Sequence, residues 1–314
     1  MNGQHGLSLV ELLVATALML VAFAGALSLL AATRSTWTVG QAQAELQETA
    51  RAALDLVAAD LRLAGHLGLA PPGTPVEGAQ PLGMPEPAAL AVGGRCGLSL
   101  AHDLARPVAA ADGRYGASQT TTLGCAAGPS GRVVPGADTL VLRHAGGDTT
   151  SASAGRLQLE STRRAARLLA DGERRLGAAS RISALQASVY YVSADSTGAA
   201  SLPSLRRKRL VGGSRPAFED EELLPGVADL QVEFGIAAGA GPAERYVDPA
   251  DLPAGTPVRS VRLWMLVRGD RPEAREIDQP ALAYADRAWP AERSHLRRLL
   301  ATRSVALRNG EVEP

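Results

Sequence analysis

The chain has 314 residues, enough to bury a sizeable core in one large domain or two ordinary ones. Lys+Arg and Asp+Glu are both 32, so the formal net charge is zero, and no bulk excess draws nucleic acid or an anionic surface. The only cysteines, Cys96 and Cys125, are too few for a disulfide-dense scaffold and too far apart for a Cys-x-x-Cys redox or zinc pair; they form one disulfide in an oxidising compartment or stay two buried thiols.

From Leu7 to Ala32 the chain carries one ionisable group, Glu11, over about 26 residues, long enough to cross a ~30 Å hydrocarbon layer as a helix. The run is longer than the ~7–15 residue apolar core of a cleaved signal and has no Lys or Arg ahead of it. A carboxylate here is costly in lipid unless protonated or paired, although a helix macrodipole favours an acid near its start. Beyond Ala32 the pattern turns amphipathic: Leu46, Ala50, Ala53, Val57 and Leu61 recur every three or four residues between Gln43, Glu48, Arg51, Asp55 and Arg62. No proline interrupts Leu7 to Ala64, and Gly65 supplies a stop. The pattern predicts one continuous helix of about 58 residues, a rod of roughly 87 Å.

Prolines 71, 72, 75, 81, 85 and 87 predict an irregular crossing, and the loop-rich stretch from Gly93 to Gly136, which holds both cysteines, reads as a pinned surface excursion. Strands are predicted at Thr139–His144, Ile182–Val192, Leu230–Ile236 and Val261–Val267, forming one antiparallel sheet covered by the amphipathic helix. Arg206-Arg-Lys-Arg209 reads as a solvated strand edge rather than a nucleic-acid site. Glu219-Asp-Glu-Glu222 reads as a polar turn rather than a calcium site, and Asp248 and Asp251 are treated alike. Trp37 and Trp264 are expected to pack, with Trp37 near the end of the apolar segment. No nucleophile elbow, zinc-protease helix motif or phosphate loop occurs, and His5, His66, His102, His144 and His295 lack ligand spacing, so no catalytic residue, cofactor or metal is expected.

The opening Gly6-Leu-Ser-Leu-Val-Glu11-Leu12 resembles the cleavage and methylation motif of type IV prepilins. Similarity to the PilW family of minor pilins extends through Leu46 to Gly68, Tyr190-Tyr-Val192, Pro203-Ser-Leu-Arg206, Leu224 to Val232, Val258 to Trp264, and the late Leu296-Arg-Arg and Ser304 to Asn309. The resemblance implies an α+β pilin with a leader (residues 1–6), a transmembrane and filament-core half-helix (7–33), an amphipathic half-helix (34–65), and a β-rich head (66–314) irregular over 71–136. It implies cleavage after Gly6 by a prepilin peptidase, N-methylation of Leu7, and assembly through Glu11. The family usually begins its mature chain with Phe, here Leu7, and has Lys or Arg in a leader that here offers only His5. Implied partners are other minor pilins, the major pilin, the peptidase, an inner-membrane assembly platform and, before assembly, lipid, with the head in the periplasm and later on the pilus. The implied work is a priming or tip complex supporting twitching motility and adhesion. The alternatives are a minor pseudopilin of a type II secretion system and, from another class, a membrane-anchored binding module that never polymerises and would tolerate Glu11→Ala.

Overall fold

Helix α1 runs from Leu9 to Leu63 in a computed structural model that describes residues 8–94, 96–239, 244–273 and 275–309. Its sequence is rich in Ala and Leu and free of proline, so propensity favours the helix throughout. It stops where expected, and for a steric reason. Gly65 adopts φ +76, and a Cβ there would meet the Asn309 carbonyl oxygen at 2.9 Å and the Pro107 ring at 3.3 Å. The last turn is held by Asn309 Nδ2 donating to the Ala64 carbonyl at 3.2 Å and by the Gly65 N–H donating to the Arg143 carbonyl at 3.0 Å.

The chain forms two units, Met1–Glu45 and Leu46–Pro314. The first consists, where described, of the helix up to Glu45, almost wholly exposed. Trp37, expected to pack, is 71% exposed there.

The second unit holds two main sheets in place of the single one expected. The first contains β1 (Val76–Glu77), β2 (Val108–Ala111), β3 (Thr139–Ala145), β4 (Ala154–Ser161), β5 (Ala166–Asp171), β6 (Arg181–Ser193), β7 (Ser204–Val211) and β8 (Ala217–Pro225). Their order is β1-β5-β4-β6-β3-β2, with β7 also on β6 and β8 on β7. Strand β6 joins the two halves of this sheet: Arg181–Ala184 pair with β4, and the remainder pairs with β3 and β7. The second sheet, ordered β10-β9-β11-β16, contains β9 (Val227–Ala237), β10 (Glu244–Val247), β11 (Ser260–Arg268) and β16 (Arg298–Ala306). Between β11 and β16 lie two small pairs, β12 (Ile277–Gln279) with β15 (Glu292–Ser294) and β13 (Leu282–Tyr284) with β14 (Arg287–Trp289).

The chain passes between the sheets at Pro225-Gly226. Pro225, opposite Ser204, closes the β7–β8 ladder, and Gly226 at φ +86 turns the strand so that its N–H donates to the Pro203 carbonyl and its carbonyl accepts from Arg268 N. The Leu-Pro-Gly-Val wording of residues 224–227 is therefore a crossover. From Leu46 onward the helix packs on both sheets: Ala53, Leu54, Val57, Ala58 and Leu61 share one core with Leu140, Leu142 and Tyr190 of the first sheet and Leu230, Phe234, Leu263 and Met265 of the second. Burying Val57 and Leu61 completely contributes about 1.5–3 kcal/mol each.

The Gly93–Gly136 stretch is irregular but is not a surface excursion. Leu100, Ala101 and Ala117 are fully buried, and Leu100 and Ala117, with Cys96 and Leu123, cover Val141 and Val189 on one face of the first sheet. Cys96 and Cys125 are bonded, with Cα atoms 4.4 Å apart. Closing a loop of this length contributes roughly 3 to 4 kcal/mol in the chain-entropy view.

Candidate functional site

Apolar surface without a partner is concentrated on α1. Leu9–Leu30 have a mean hydropathy of 2.4 and are not buried at all, so this segment is long and apolar enough to cross a membrane. Its hydroxyl groups are satisfied within the helix: Thr16 Oγ1 donates to the Leu12 carbonyl at 3.0 Å, Ser28 Oγ to Gly25 at 2.8 Å and Thr33 Oγ1 to Leu29 at 2.8 Å. Glu11 is the one charge in this surface. The Ser8 N–H donates to its Oε2 at 3.4 Å, and Leu12 N donates to the Ser8 carbonyl at 3.1 Å. Ser8-Leu-Val-Glu11 thus has the spacing of a capping box, a signal legible in the sequence but overlooked there, which gives Glu11 a local role beside any assembly role. Gly6 and Leu7, the expected cleavage and methylation positions, lie outside the described residues.

In the second unit, the two charge runs singled out from sequence face each other. The basic run is not a solvated edge and the acidic run is not a turn: Arg206–Arg209 lie in β7, interior between β6 and β8, and Glu219–Glu222 lie in β8, which borders the sheet. Arg206 pairs with Asp220 at 2.6 Å and Glu222 at 2.8 Å, Arg207 with Glu221 at 2.6 Å, and Lys208 with Asp220 at 2.8 Å. Tyr191 also donates its hydroxyl to Asp220. Burial pushes the Asp220 carboxyl up, but Lys208, Tyr191 and Arg206 together hold it below its ordinary value. The basic run is spent on carboxylates and offers no free row of cations to a phosphate backbone.

A second polar group joins helix to sheet. Asp60 accepts from the Tyr190 hydroxyl at 2.6 Å and lies 3.8 Å from His144 Nε2 and from Arg207. Burial raises its pKa, yet the hydrogen bonds outweigh burial and the carboxyl stays below its usual range. Arg143, fully buried, donates Nε to the Leu100 carbonyl at 2.5 Å and Nη1 to the Arg106 carbonyl at 2.7 Å, tying the disulfide region to β3; burial lowers its pKa to about 10. Trp264 packs, as expected, beside Tyr284 and donates Nε1 to Glu233 at 2.6 Å.

Carboxyls also gather where the two sheets meet. Asp138 accepts from Gly113 N at 2.7 Å and Val232 N at 2.8 Å, bridging β3 and β9. Burial, with Asp112 and Asp286 nearby, pushes it to about 8 against those two donors. Burial, Asp286 and Asp112 likewise push Asp248 to about 6. Groups raised in the fold contribute stability that is complete below their unfolded pKa of about 4 and is lost as pH rises through about 6 to 8. Asp286→Asn, which removes a repelling charge, is therefore expected to raise the urea midpoint of the full chain in detergent more at pH 8 than at pH 5; an equal change at both would contradict this. Among the described residues no three or more His, Cys, Asp or Glu side chains are grouped to hold a metal ion. A cavity of about 400 Å³ opens beside the end of α1, lined by Leu67, Val76, Gln80, His102, Leu104 and Asn309 among others.

Residues 1–27 match the prokaryotic N-terminal methylation motif, and residues 189–309, from the second half of β6 to the end of the second sheet, match the family described as type IV pilus-assembly protein W. No curated protein and no solved structure matches the chain. The layout is α+β, with an apolar N-terminal helix and a large, mainly antiparallel β region. With the methylation motif on its exposed apolar helix and the family's sequence signature across the β7–β8 hairpin and the second sheet, this chain is a type IV pilus-related pilin that is similar to the PilW family over residues 189–309.

Proposed function

We propose that the chain is a minor pilin that enters a type IV pilus through α1 and takes part, with other minor pilins, in the complex that primes assembly or stands at the tip, supporting motility and adhesion. The observation that carries this reading is Glu11, one carboxylate in an otherwise apolar, fully exposed helical surface. In this reading Gly6 is the last leader residue, Leu7 is the methylated mature N-terminus, and the Leu7 amine of one subunit meets the Glu11 of another as they leave lipid. A buried ammonium and a buried carboxylate cost less together than apart. Before assembly the apolar segment anchors the chain in the inner membrane with the head in the periplasm, where Cys96 and Cys125 pair under oxidising conditions.

The family relation implies contact with other pilus components. In the head the charges of β7 and β8 are committed to internal pairs that staple the two strands. The test is the amount of this chain in filaments sheared from cells, compared between the native protein and Glu11 variants.

A further inference from the structure

Strand β11 ends and β16 begins at one place, the root of the arm that carries the two small pairs β12–β15 and β13–β14. The arm lies on the outer face of the second sheet, where its Tyr284 and Trp289 pack with Trp264 and the fully buried Leu266. At its root the sheet sets Arg268 directly opposite Arg298. Opposed residues of an antiparallel pair project to one face, and by alternation this is the face of Trp264, Leu266 and Leu300. Like charges so placed are disfavoured.

The protein leaves both guanidinium groups partly unanswered. The Arg298 side chain is only 6% exposed, and its Nη1 lies 3.1 Å from Glu292 Oε1. Its Nε and Nη2 are buried with no hydrogen-bond partner among the described residues. Trp289 stands with its ring 5.7 Å from that guanidinium, and a ring face attracts the charge without being a strong acceptor for the N–H groups. Arg268 donates Nη2 to the Ser201 carbonyl at 2.7 Å, but its Nε is likewise buried and unpartnered. Burial pushes the Arg268 pKa down, and no carboxylate counters it. Neighbouring acids are engaged elsewhere: Asp229 accepts from the Tyr284 hydroxyl and lies 3.4 Å from Arg287, and Glu273 takes Arg297 at 2.8 Å. Three buried N–H donors on two opposed cations therefore lack an acceptor, which costs more than an ordinary hydrogen bond contributes.

We propose that the root of this arm is a binding site for a small tetrahedral oxyanion of the phosphate or sulfate class, held between Arg268 and Arg298 and covered by the arm. Guanidinium N–H groups match such oxygens in charge and spacing, and the bonds are charge-assisted. Donors from two strands reach the ion from two sides, which suits a tetrahedral ion better than a planar carboxylate. Because the donors are buried, the site takes a free ion rather than the phosphoryl group of a larger molecule. The bound anion turns two repelling cations into a clamp, so occupancy and closure of the arm are coupled.

The site lies within the head and does not depend on how α1 is used. The test takes the full chain in detergent, freed of phosphate, and titrates it calorimetrically with sodium phosphate at an ionic strength held constant with sodium chloride. The native chain should bind saturably, and Arg268→Gln and Arg298→Gln should each weaken binding at least ~10-fold through lost charge-assisted bonds. Arg164→Gln, which removes an exposed cation of the β4–β5 turn, should leave binding unchanged. Because substitution of a buried arginine can perturb folding, hydrogen exchange on the unaltered chain is the second reading. Phosphate should slow the amides of residues 277–294 and leave those of β3 as they were. No saturable binding by the native chain, native affinity in both arginine variants, or unchanged exchange over 277–294 would overturn the proposal.

Discussion

Glu11→Gln is expected to lower the amount of this chain in sheared filaments by roughly 100-fold or more while its membrane level stays unchanged, because one partner of a buried charge pair is lost. The choice of Gln separates the local role of Glu11 from the assembly role proposed for it. Gln satisfies a capping box as well as Glu does, so the bond with the Ser8 N–H and the start of α1 survive. Only the charge is removed. If Glu11 serves the helix start alone, Glu11→Gln enters filaments normally and Glu11→Ala shows a small deficit. If Glu11 neutralises a neighbour's N-terminus, Gln and Ala fail alike. Normal recruitment of both variants would leave the chain an anchored head that does not polymerise.

Asp220→Ala is expected to destabilise the second unit by about 3–5 kcal/mol, the usual consequence of removing one partner from a buried ionic group. Arg206 and Lys208 are almost fully buried, and Tyr191 also points its hydroxyl at this carboxylate. Truncation leaves two cations and a hydroxyl without their shared acceptor, and Glu222 can satisfy only Arg206. Replacing Arg206, Lys208 and Asp220 together by apolar residues of similar volume should cost less than the single change, since the buried cations go with their acceptor and Glu222, which loses Arg206, still accepts from Ser196 and Thr197. The reading is the urea midpoint at neutral pH, where Asp220 is ionised. A loss below about 1 kcal/mol for Asp220→Ala would show that solvent reaches the cations and that the network is equivalent to a surface pair.

This network also shows why only part of the head could be read from the sequence. Helix α1 and strands β3, β6, β9 and β11 were legible because each buries one face and keeps its period, as in Val261, Leu263 and Met265 against Arg262. Strands β7 and β8 were not, because four consecutive charges in each erase the alternation on which such readings depend. Their meaning is cross-strand: Lys208 is opposite Asp220 and Arg207 opposite Glu221, and neither run explains itself alone. Strand β4 hides its character differently. Leu157 and Leu159 face one core, while Gln158 and Glu160 are also buried, with Gln158 bonded to Thr150 and Ser151 and Glu160 accepting from Arg175 N, Leu176 N and Ser180.

The irregular region was misjudged for a related reason. Its Gly and Pro content describes the backbone correctly, since β2 is its longest regular element, but says nothing about burial. Leu100, Ala117 and Leu123 are spaced without period, so nothing local announces that they cover β3 and β6. At the N-terminus the opposite holds. One acid in a long apolar run is conspicuous in the sequence itself, because lipid leaves so few reasons for a charge to be there.

The most direct test of the central claim is the intact mass and N-terminal sequence of the chain recovered from its own membranes, with and without the prepilin peptidase. The account predicts a mature chain beginning at N-methylated Leu7 when the peptidase is present and the full leader when it is absent. A chain that keeps Met1 in both strains, or one cut near Ala26, would contradict it.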